Sequence, residues 1–352
     1  MSVIGFDIGT FATKALYLSI KGKGRKQQVS LEGLGISQMP VEIMTHWEEQ
    51  PIPARTAMTA AMKNLVKTSK LKGARYAALS LSGETMIIKK ISMPVTSQKE
   101  LRQSLALEAE QYIPYPINDV IIDGHILNTD DRYGQMSVLL VAARKEVVFN
   151  YMQAIALTKL LKPTVIDVDA LAYFNAYDFL YPDSRDNVVL VDIGATMIHI
   201  TVINEGLPHT IKEENIGGQR LTEDIEDLFG LPPDEAEAVK LGTSDPPNKT
   251  ECADIFDRIF SNWAAAIDRA IDMVKSEFPD YRPSRILLAG GCALINGLAA
   301  QFQSHFHVPT EIFNPLAGLK LNIKKFDRSY IDYIGPQMAV SFGLAIRKPE
   351  TN

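Results

Sequence analysis

The chain has 352 residues, 46% of them hydrophobic and 22% charged, which is an ordinary globular composition with enough length for two domains. Its 36 basic and 42 acidic residues give a formal charge of −6, which argues against nucleic acid as the partner, because phosphate recognition needs a concentrated basic face. The two cysteines, Cys252 and Cys292, have neither metal-ligand spacing nor a disulfide framework, which fits a reducing compartment. No apolar run approaches the about 20 residues that span a bilayer.

In chain order, a strand pattern opens at Val3, with no charged leader before it, so no secretory signal is expected. It ends in Asp7-Ile8-Gly9-Thr10 and is followed by β-rich runs at 15–20 and 29–36. Between them the basic stretch 21–26, interleaved with Gly22 and Gly24, reads as a solvated hairpin tip. Residues 53–69, rich in Ala and Lys, predict a helix, and Tyr76–Leu81 a short strand ending at Ser82-Gly83. Residues 98–111 predict a second helix, stopped by Tyr112-Ile113-Pro114-Tyr115-Pro116 because proline cannot continue it. Strand runs at 120–127 and 136–142 flank the turn signal Asp130-Asp131-Arg132-Tyr133-Gly134, and 146–161 is helical, so 84–161 reads as a small α/β insert. A strand at 163–167 and a helix from 170 to 178 follow.

The opening pattern then recurs. Val188-Val189-Leu190-Val191-Asp192-Ile193-Gly194-Ala195 echoes the first run, with β-rich segments at 197–203 and 208–211 around Glu205-Gly206. Such an internal repeat predicts two similar lobes. The second half continues with a helix over Gln219–Phe229 closed by Gly230, a loop at 241–250 and a long apolar-periodic helix at 255–278. A strand over Arg285–Ala289 enters Gly290-Gly291, and helices follow at 296–306 and 333–346. The expected division is 1–184 for the first lobe, 185–346 for the second with a subdomain at 213–260, and 347–352 as a tail.

Four segments carry chemistry. In the first, Gly9 permits a tight turn whose amides at Gly9, Thr10 and Phe11 would face phosphate oxygens, helped by the hydroxyls of Thr10 and Thr13 and the charge of Lys14. The alternative is a hairpin in which Asp7 bonds its own turn. In the second, Asp192-Ile193-Gly194-Ala195-Thr196 supplies a matching grip from the other lobe, unless the echo is fold symmetry kept without a ligand. Asp7 and Asp192 aimed at one cleft would repel unless a cation lay between them, and Mg²⁺ held through water meets that need. In the third, Leu287-Leu288-Ala289-Gly290-Gly291-Cys292-Ala293 would admit a flat ring and ribose, although it is also a common strand-to-helix turn. In the fourth, Ile216-Gly217-Gly218-Gln219-Arg220 enters a helix bearing Asp224, with the glycines near the sugar or base.

These four segments, in this order and over nearly the whole chain, resemble the actin, sugar-kinase and heat-shock-chaperone superfamily. The resemblance implies an α/β actin-like (ribonuclease H-like) fold of two duplicated lobes with mixed five-stranded sheets and a small α/β subdomain inserted in the first. It implies ATP and Mg²⁺ as ligands and an acidic residue, matched by Asp169, that orients the attacking water. Asp169 also fits a helix N-cap. Ala195 stands where relatives carry a hydroxyl, which implies at most slow hydrolysis.

Within the superfamily the details are similar to the PilM family of type IV pilus assembly. They are Glu110-Gln111-Tyr112-Ile113-Pro114-Tyr115-Pro116-Ile117, Val165-Ile166-Asp167-Val168-Asp169-Ala170, Ile216-Gly217-Gly218-Gln219-Arg220-Leu221-Thr222-Glu223-Asp224-Ile225 and Ala339-Val340-Ser341-Phe342-Gly343-Leu344-Ala345. That likeness implies a cytoplasmic scaffold for twitching pili, held at the inner membrane through a partner. By that likeness it would bind the N-terminal cytoplasmic tail of PilN and meet other components of the pilus inner-membrane complex or further copies of itself. The tail would lie between the first lobe and the insert, with Tyr112, Ile113, Tyr115 and Ile117 as candidate walls or as insert core. The alternatives are a filament-forming cell-division protein of the FtsA type, which carries a C-terminal membrane helix not seen in 347–352, and a small-molecule kinase, which needs a base in the cleft.

Overall fold

The computed structural model describes residues 3–22, 28–69, 71, 73–83, 86–130, 133–322 and 324–348. Most of the expected hairpin tip, the first two residues of the insert, part of its Asp130–Gly134 turn and the end of the tail lie outside the described residues.

The first lobe begins with β1 (Val3–Ile8), β2 (Ala12–Lys21), β3 (Gln28–Gln38), α1 (Val41–Thr45), α2 (Pro51–Thr68) and β4 (Tyr76–Leu81). The insert follows as β5 (Met86–Pro94), α3 (Gln98–Ala109), β6 (Val120–Asp130), β7 (Gln135–Arg144) and α4 (Lys145–Thr158). The lobe closes with β8 (Lys162–Val168) and α5 (Asp169–Leu180). The second lobe contains β9 (Val188–Ile193), β10 (Ile198–Asn204), β11 (Leu207–Glu214), α6 (Gln219–Phe229), α7 (Pro233–Lys240) and α8 (Lys249–Glu277). It ends with β12 (Arg285–Ala289), α9 (Leu298–Phe306), β13 (Thr310–Ile312), α10 (Arg328–Ile334) and α11 (Ala339–Ala345).

The repeat in the sequence becomes a repeat in topology. One five-stranded sheet runs β3-β2-β1-β4-β8 and the other β11-β10-β9-β12-β13. In each, an antiparallel hairpin leads into parallel neighbours. The central strands are buried on both faces, as parallel neighbours between helical layers require. Ile4, Phe6 and Ile8 of β1 meet α2 and α4, while Val189, Val191 and Ile193 of β9 meet α8 through Trp263, Ile267 and Ile271. Each such side chain contributes about 1.5–3 kcal/mol of burial.

Two helices join the lobes. α5 and α11 cross beneath β1 at a contact that only glycine allows. A Cβ on Gly343 would run into the backbone of Ala172, and one on Gly5 would lie 2.6 Å from the Ala345 nitrogen. Phe342 and Tyr173 fill the surrounding core.

Three departures from the sequence expectations have local causes. The helix expected over 333–346 is broken: α10 ends at Ile334, a 3-10 turn spans Gly335–Met338, and α11 starts after it, because Pro336 cannot donate a helical hydrogen bond. Strand β5 was hidden by Lys89 and Lys90, which interrupt its apolar run on an edge of the insert sheet β5-β7-β6. Helix α7 was hidden by its brevity and by Pro232-Pro233, although Pro233 at its first position is a regular helix start.

Candidate functional site

The two Asp-Ile-Gly turns meet. The Thr10 hydroxyl lies 3.2 Å from the Thr196 hydroxyl, one contributed by each lobe. Each turn closes through its own glycine amide. Gly9 N–H donates to Ala12 O at 3.1 Å, and Gly194 N–H donates to Met197 O at 2.9 Å. Those two amides are therefore engaged, which corrects the expectation that Gly9 faces phosphate. The hydrogen bonds among the described residues leave the amides of Thr10, Phe11, Ala195 and Thr196 uncommitted.

Strand register sets what stands behind each turn. Asp7 pairs across the hairpin with Lys14, and Asp192 pairs across its hairpin with His199. Lys14 Nζ donates to Asp7 Oδ2 at 2.9 Å. Burial pulls the Lys14 ammonium down, but Asp7, Asp192 and Asp169 attract it more strongly, so its pKa rises. Burial pushes the Asp192 carboxyl up against the pull of His199 and Lys14.

Asp169 opens α5 without capping it, since Val168 is the cap residue and no side chain bonds there. The N-cap reading of Asp169 is thereby set aside. Its carboxylate accepts the Ser80 hydroxyl and lies 3.9 Å from His199 Nε2. Burial and then the Asp7 carboxylate push it up to about 7. His199 Nδ1 bonds Glu213 at 3.0 Å, and Glu213 also accepts Gly83 N–H at 3.0 Å. Burial disfavours a charged imidazole, yet Glu213, Asp169 and Asp192 hold His199 protonated up to about 9.

The chemistry of this donor set fits a bound cation. Among the described residues, Asp7, Asp169, Asp192 and Glu213 face Lys14 and His199 as their cations, so negative charge is in excess. Among the described residues no three carboxylate, histidine or cysteine groups converge to hold a metal by themselves. Asp7 and Asp192 would therefore hold Mg²⁺ through water, with phosphate oxygens completing its shell.

The Gly217-Gly218 loop braces the second turn from behind. The amides of Gly217, Gly218 and Gln219 donate to Thr196 O, Gly194 O and Ala195 O at 3.0, 2.9 and 2.7 Å. A Cβ at Gly217 would collide with the Ala195 carbonyl, and one at Gly218 with the Cys292 sulfur. These glycines hold the turn; their amides are not free for a ligand. Cys292 wedges beneath, its Sγ 3.7 Å from Gly194 O, and burial pushes its thiol up to about 11, so it stays protonated. Gly290, at φ 89°, packs on Asp192 and Ile193, while an added Cβ at Gly291 would meet nothing within 4 Å. Gly291 thus leaves open backbone where a ring could lie.

Two sequence candidates do not join this group. Thr13 is fully buried, and strand alternation puts it on the face opposite Lys14, with its hydroxyl unpaired. Arg220 pairs with Asp224 at 2.8 Å, and Arg258 holds the other oxygen at 2.9 Å, tying α6 to α8. Phe11 stands exposed at the turn tip.

Sequence reasoning missed several residues the fold brings in. His199 had a signal: it follows Asp192 at the same spacing by which Lys14 follows Asp7. Glu213 and Ser80 had none. Lys240 on α7 is buried beside the loop, with Nζ 2.5 Å from Glu237, 2.9 Å from Thr222 Oγ1 and 3.4 Å from Gly218 O.

In the insert, Ile113 is buried with Leu101, Leu105 and Val138, and Tyr112, Tyr115 and Ile117 pack partly buried against that core. Tyr115 also lines a pocket of about 480 Å³ with Pro116, Asp119, Arg144, Lys145 and Glu146. Arg144 covers the Tyr115 ring at 5.7 Å and reaches Glu48 of the first lobe at 3.5 Å. The pocket therefore lies where insert and lobe meet.

The sequence matches the family described as type IV pilus assembly protein PilM over residues 5–349. A solved PilM-PilN type IV pilus biogenesis complex is similar at 25% identity and TM-score 0.84, covering 100% of this chain and 99% of that chain. The cell division protein FtsA of Escherichia coli K12 is 26% identical over 214 residues, covering 52% of this chain and 50% of that relative, so the chain spans about half the relative's length. FtsA of Pseudomonas aeruginosa is 22% identical, with 89% of this chain and 83% of that protein covered.

Proposed function

Because the chain belongs to the PilM family of type IV pilus assembly proteins, we propose that it is a nucleotide-binding scaffold that grips Mg-ATP between its lobes and holds the N-terminal tail of PilN against its insert. The observation that supports the nucleotide half is the approach of Thr10 to Thr196, which brings the two Asp-Ile-Gly turns together. The uncommitted amides of Thr10, Phe11, Ala195 and Thr196 donate to phosphate oxygens, Lys14 supplies charge, and the backbone beside Gly291 receives the base and ribose. Asp7 and Asp192 would hold Mg²⁺ through water, and the ion would neutralise phosphate charge. Asp169 orients a water through a position fixed by Ser80 and His199. Because His199 is already protonated between two carboxylates, it takes no proton from that water. Hydrolysis is accordingly slow, and binding is the main event.

The partner half rests on the family and on the junction pocket beside Tyr115. A tail that is disordered alone, and that loses conformational freedom on docking, suits a short groove of aromatic walls and ionic rims. On this reading PilN holds the scaffold at the inner face of the inner membrane; among the described residues no helix is long and apolar enough to cross a membrane. Titration of the purified chain with a peptide copying the first residues of PilN tests this half. Saturable binding that Tyr115→Ala and Arg144→Ala weaken is expected, and binding indifferent to both contradicts the proposed groove.

A further inference from the structure

Beyond the turns, the lobes touch again at the far side of the insert. Lys90 of β5 reaches across to the second lobe, where its ammonium contacts His209 Nε2 of β11 and lies 2.9 Å from Glu277 Oε2 at the end of α8. His209 Nε2 is 3.0 Å from the same Glu277 oxygen. Phe278 floors the cluster, with its ring centre 5.9 Å from Lys90 Nζ and 5.3 Å from the His209 ring.

At the Gly83–Glu213 bond the seam opens into a surface cleft of about 230 Å³, walled by Gly83, Met86 and Ile88 on one side and Met197, Ile211 and Glu213 on the other. Side chains that face each other across an open cleft give up the dispersion contacts that would otherwise hold the seam shut. The seam is pinned by polar groups at its ends. The α5–α11 crossing, by contrast, is filled to the backbone at Gly343. A crossing packed to the backbone resists parting more than an open seam does, and the Lys90 cluster, out on the insert, ties the lobes together away from it.

We propose that Lys90, His209 and Glu277 form a strap from the insert to the second lobe that keeps the nucleotide cleft closed and slows nucleotide release. This rests on the nucleotide reading above. Breaking the strap leaves the turns intact but lets the lobes part more often. Entry and exit of nucleotide both quicken, and affinity changes less than either rate.

The test pairs two measurements on the full chain. Release of a fluorescently labelled ADP, chased with unlabelled ADP, is expected to be roughly threefold or more faster in Lys90→Ala and in Glu277→Gln, as suits one half-exposed ion pair. The charge-reversed pair Lys90→Glu with Glu277→Lys is expected to recover most of the loss. Spin labels at Gln103→Cys on α3 and Asn262→Cys on α8, without nucleotide, are expected to show a longer and broader distance distribution once Lys90 is Ala. Unchanged distances overturn the strap whether or not nucleotide binds. Labelled ADP that never binds the wild type instead defeats the nucleotide reading, and the distances then decide the strap alone. Rapid binding and release at equal rates in wild type and variants also overturn it.

Discussion

The two Asp-Ile-Gly turns begin as near copies and end as different tools. The first brings charge: Lys14 sits opposite Asp7, and the turn's backbone is held by Gly9 N–H to Ala12 O at 3.1 Å and by Met39 N–H to Phe11 O at 2.9 Å. The second brings rigidity: its three carbonyls at Gly194, Ala195 and Thr196 are all taken by the Gly217–Gln219 amides, and Cys292 and Gly290 close in behind. Its basic partner is His199, itself clamped by Glu213. A duplicated motif has thus diverged into a charged jaw and a braced wall, a division suited to gripping a phosphate-bearing ligand.

The comparison breaks most sharply at Gly290. Its φ of 89° and the nearness of Asp192 leave no room for a side chain. Gly290→Ala is expected to destabilise the fold by about 3 kcal/mol or more and to abolish nucleotide binding, as read by chemical denaturation and calorimetry. A variant with wild-type stability would show that the wall is not fixed.

Lys14→Ala removes charge from the jaw while leaving the wall alone. It is expected to weaken nucleotide binding by about 10- to 100-fold with secondary structure intact, because a charge-assisted phosphate contact is lost.

His199 sharpens the contrast through pH. Its folded value is raised from 6.5 to about 9, so its stabilising contribution is complete below 6.5, fades as pH climbs and is gone above about 9. The stability difference between wild type and His199→Gln should shrink by about 3 kcal/mol across that window, measured by urea unfolding at successive pH values. A constant difference would mean that the imidazole is not held charged.

The smallest effect is expected at Thr13, whose buried hydroxyl has no partner. Thr13→Val should stabilise the chain by about 1 kcal/mol and leave nucleotide affinity unchanged. Lost affinity would return Thr13 to the phosphate group.

Much of this fold was legible because its signals are local. Tyr76–Leu81, Arg285–Ala289 and Gln219–Phe229 stand where periodicity and glycine punctuation placed them, and the repeated Asp-Ile-Gly foretold two like sheets. The site was legible wherever the residues lie within a turn. It was illegible where chemistry depends on register or on contacts between lobes. That Lys14 faces the crevice and Thr13 does not follows from β alternation, which hydroxyl chemistry alone cannot show. Glu213 reaches His199 only because β10 and β11 pair, and Ser80 reaches Asp169 only because the parallel β4–β8 pairing brings the end of β4 beside the start of α5. The Gly217-Gly218 pair carried a correct backbone message, close approach, but its neighbour is the protein's own turn.

The central claim, that the two turns close on one nucleotide, is tested most directly by a crystal structure grown with Mg-ATP or Mg-ADP. The account predicts phosphates between Thr10 and Thr196, with the two hydroxyls drawn apart from 3.2 Å to bond phosphate oxygens instead of each other. Nucleotide bound elsewhere, with the Thr10–Thr196 contact unbroken, would contradict it.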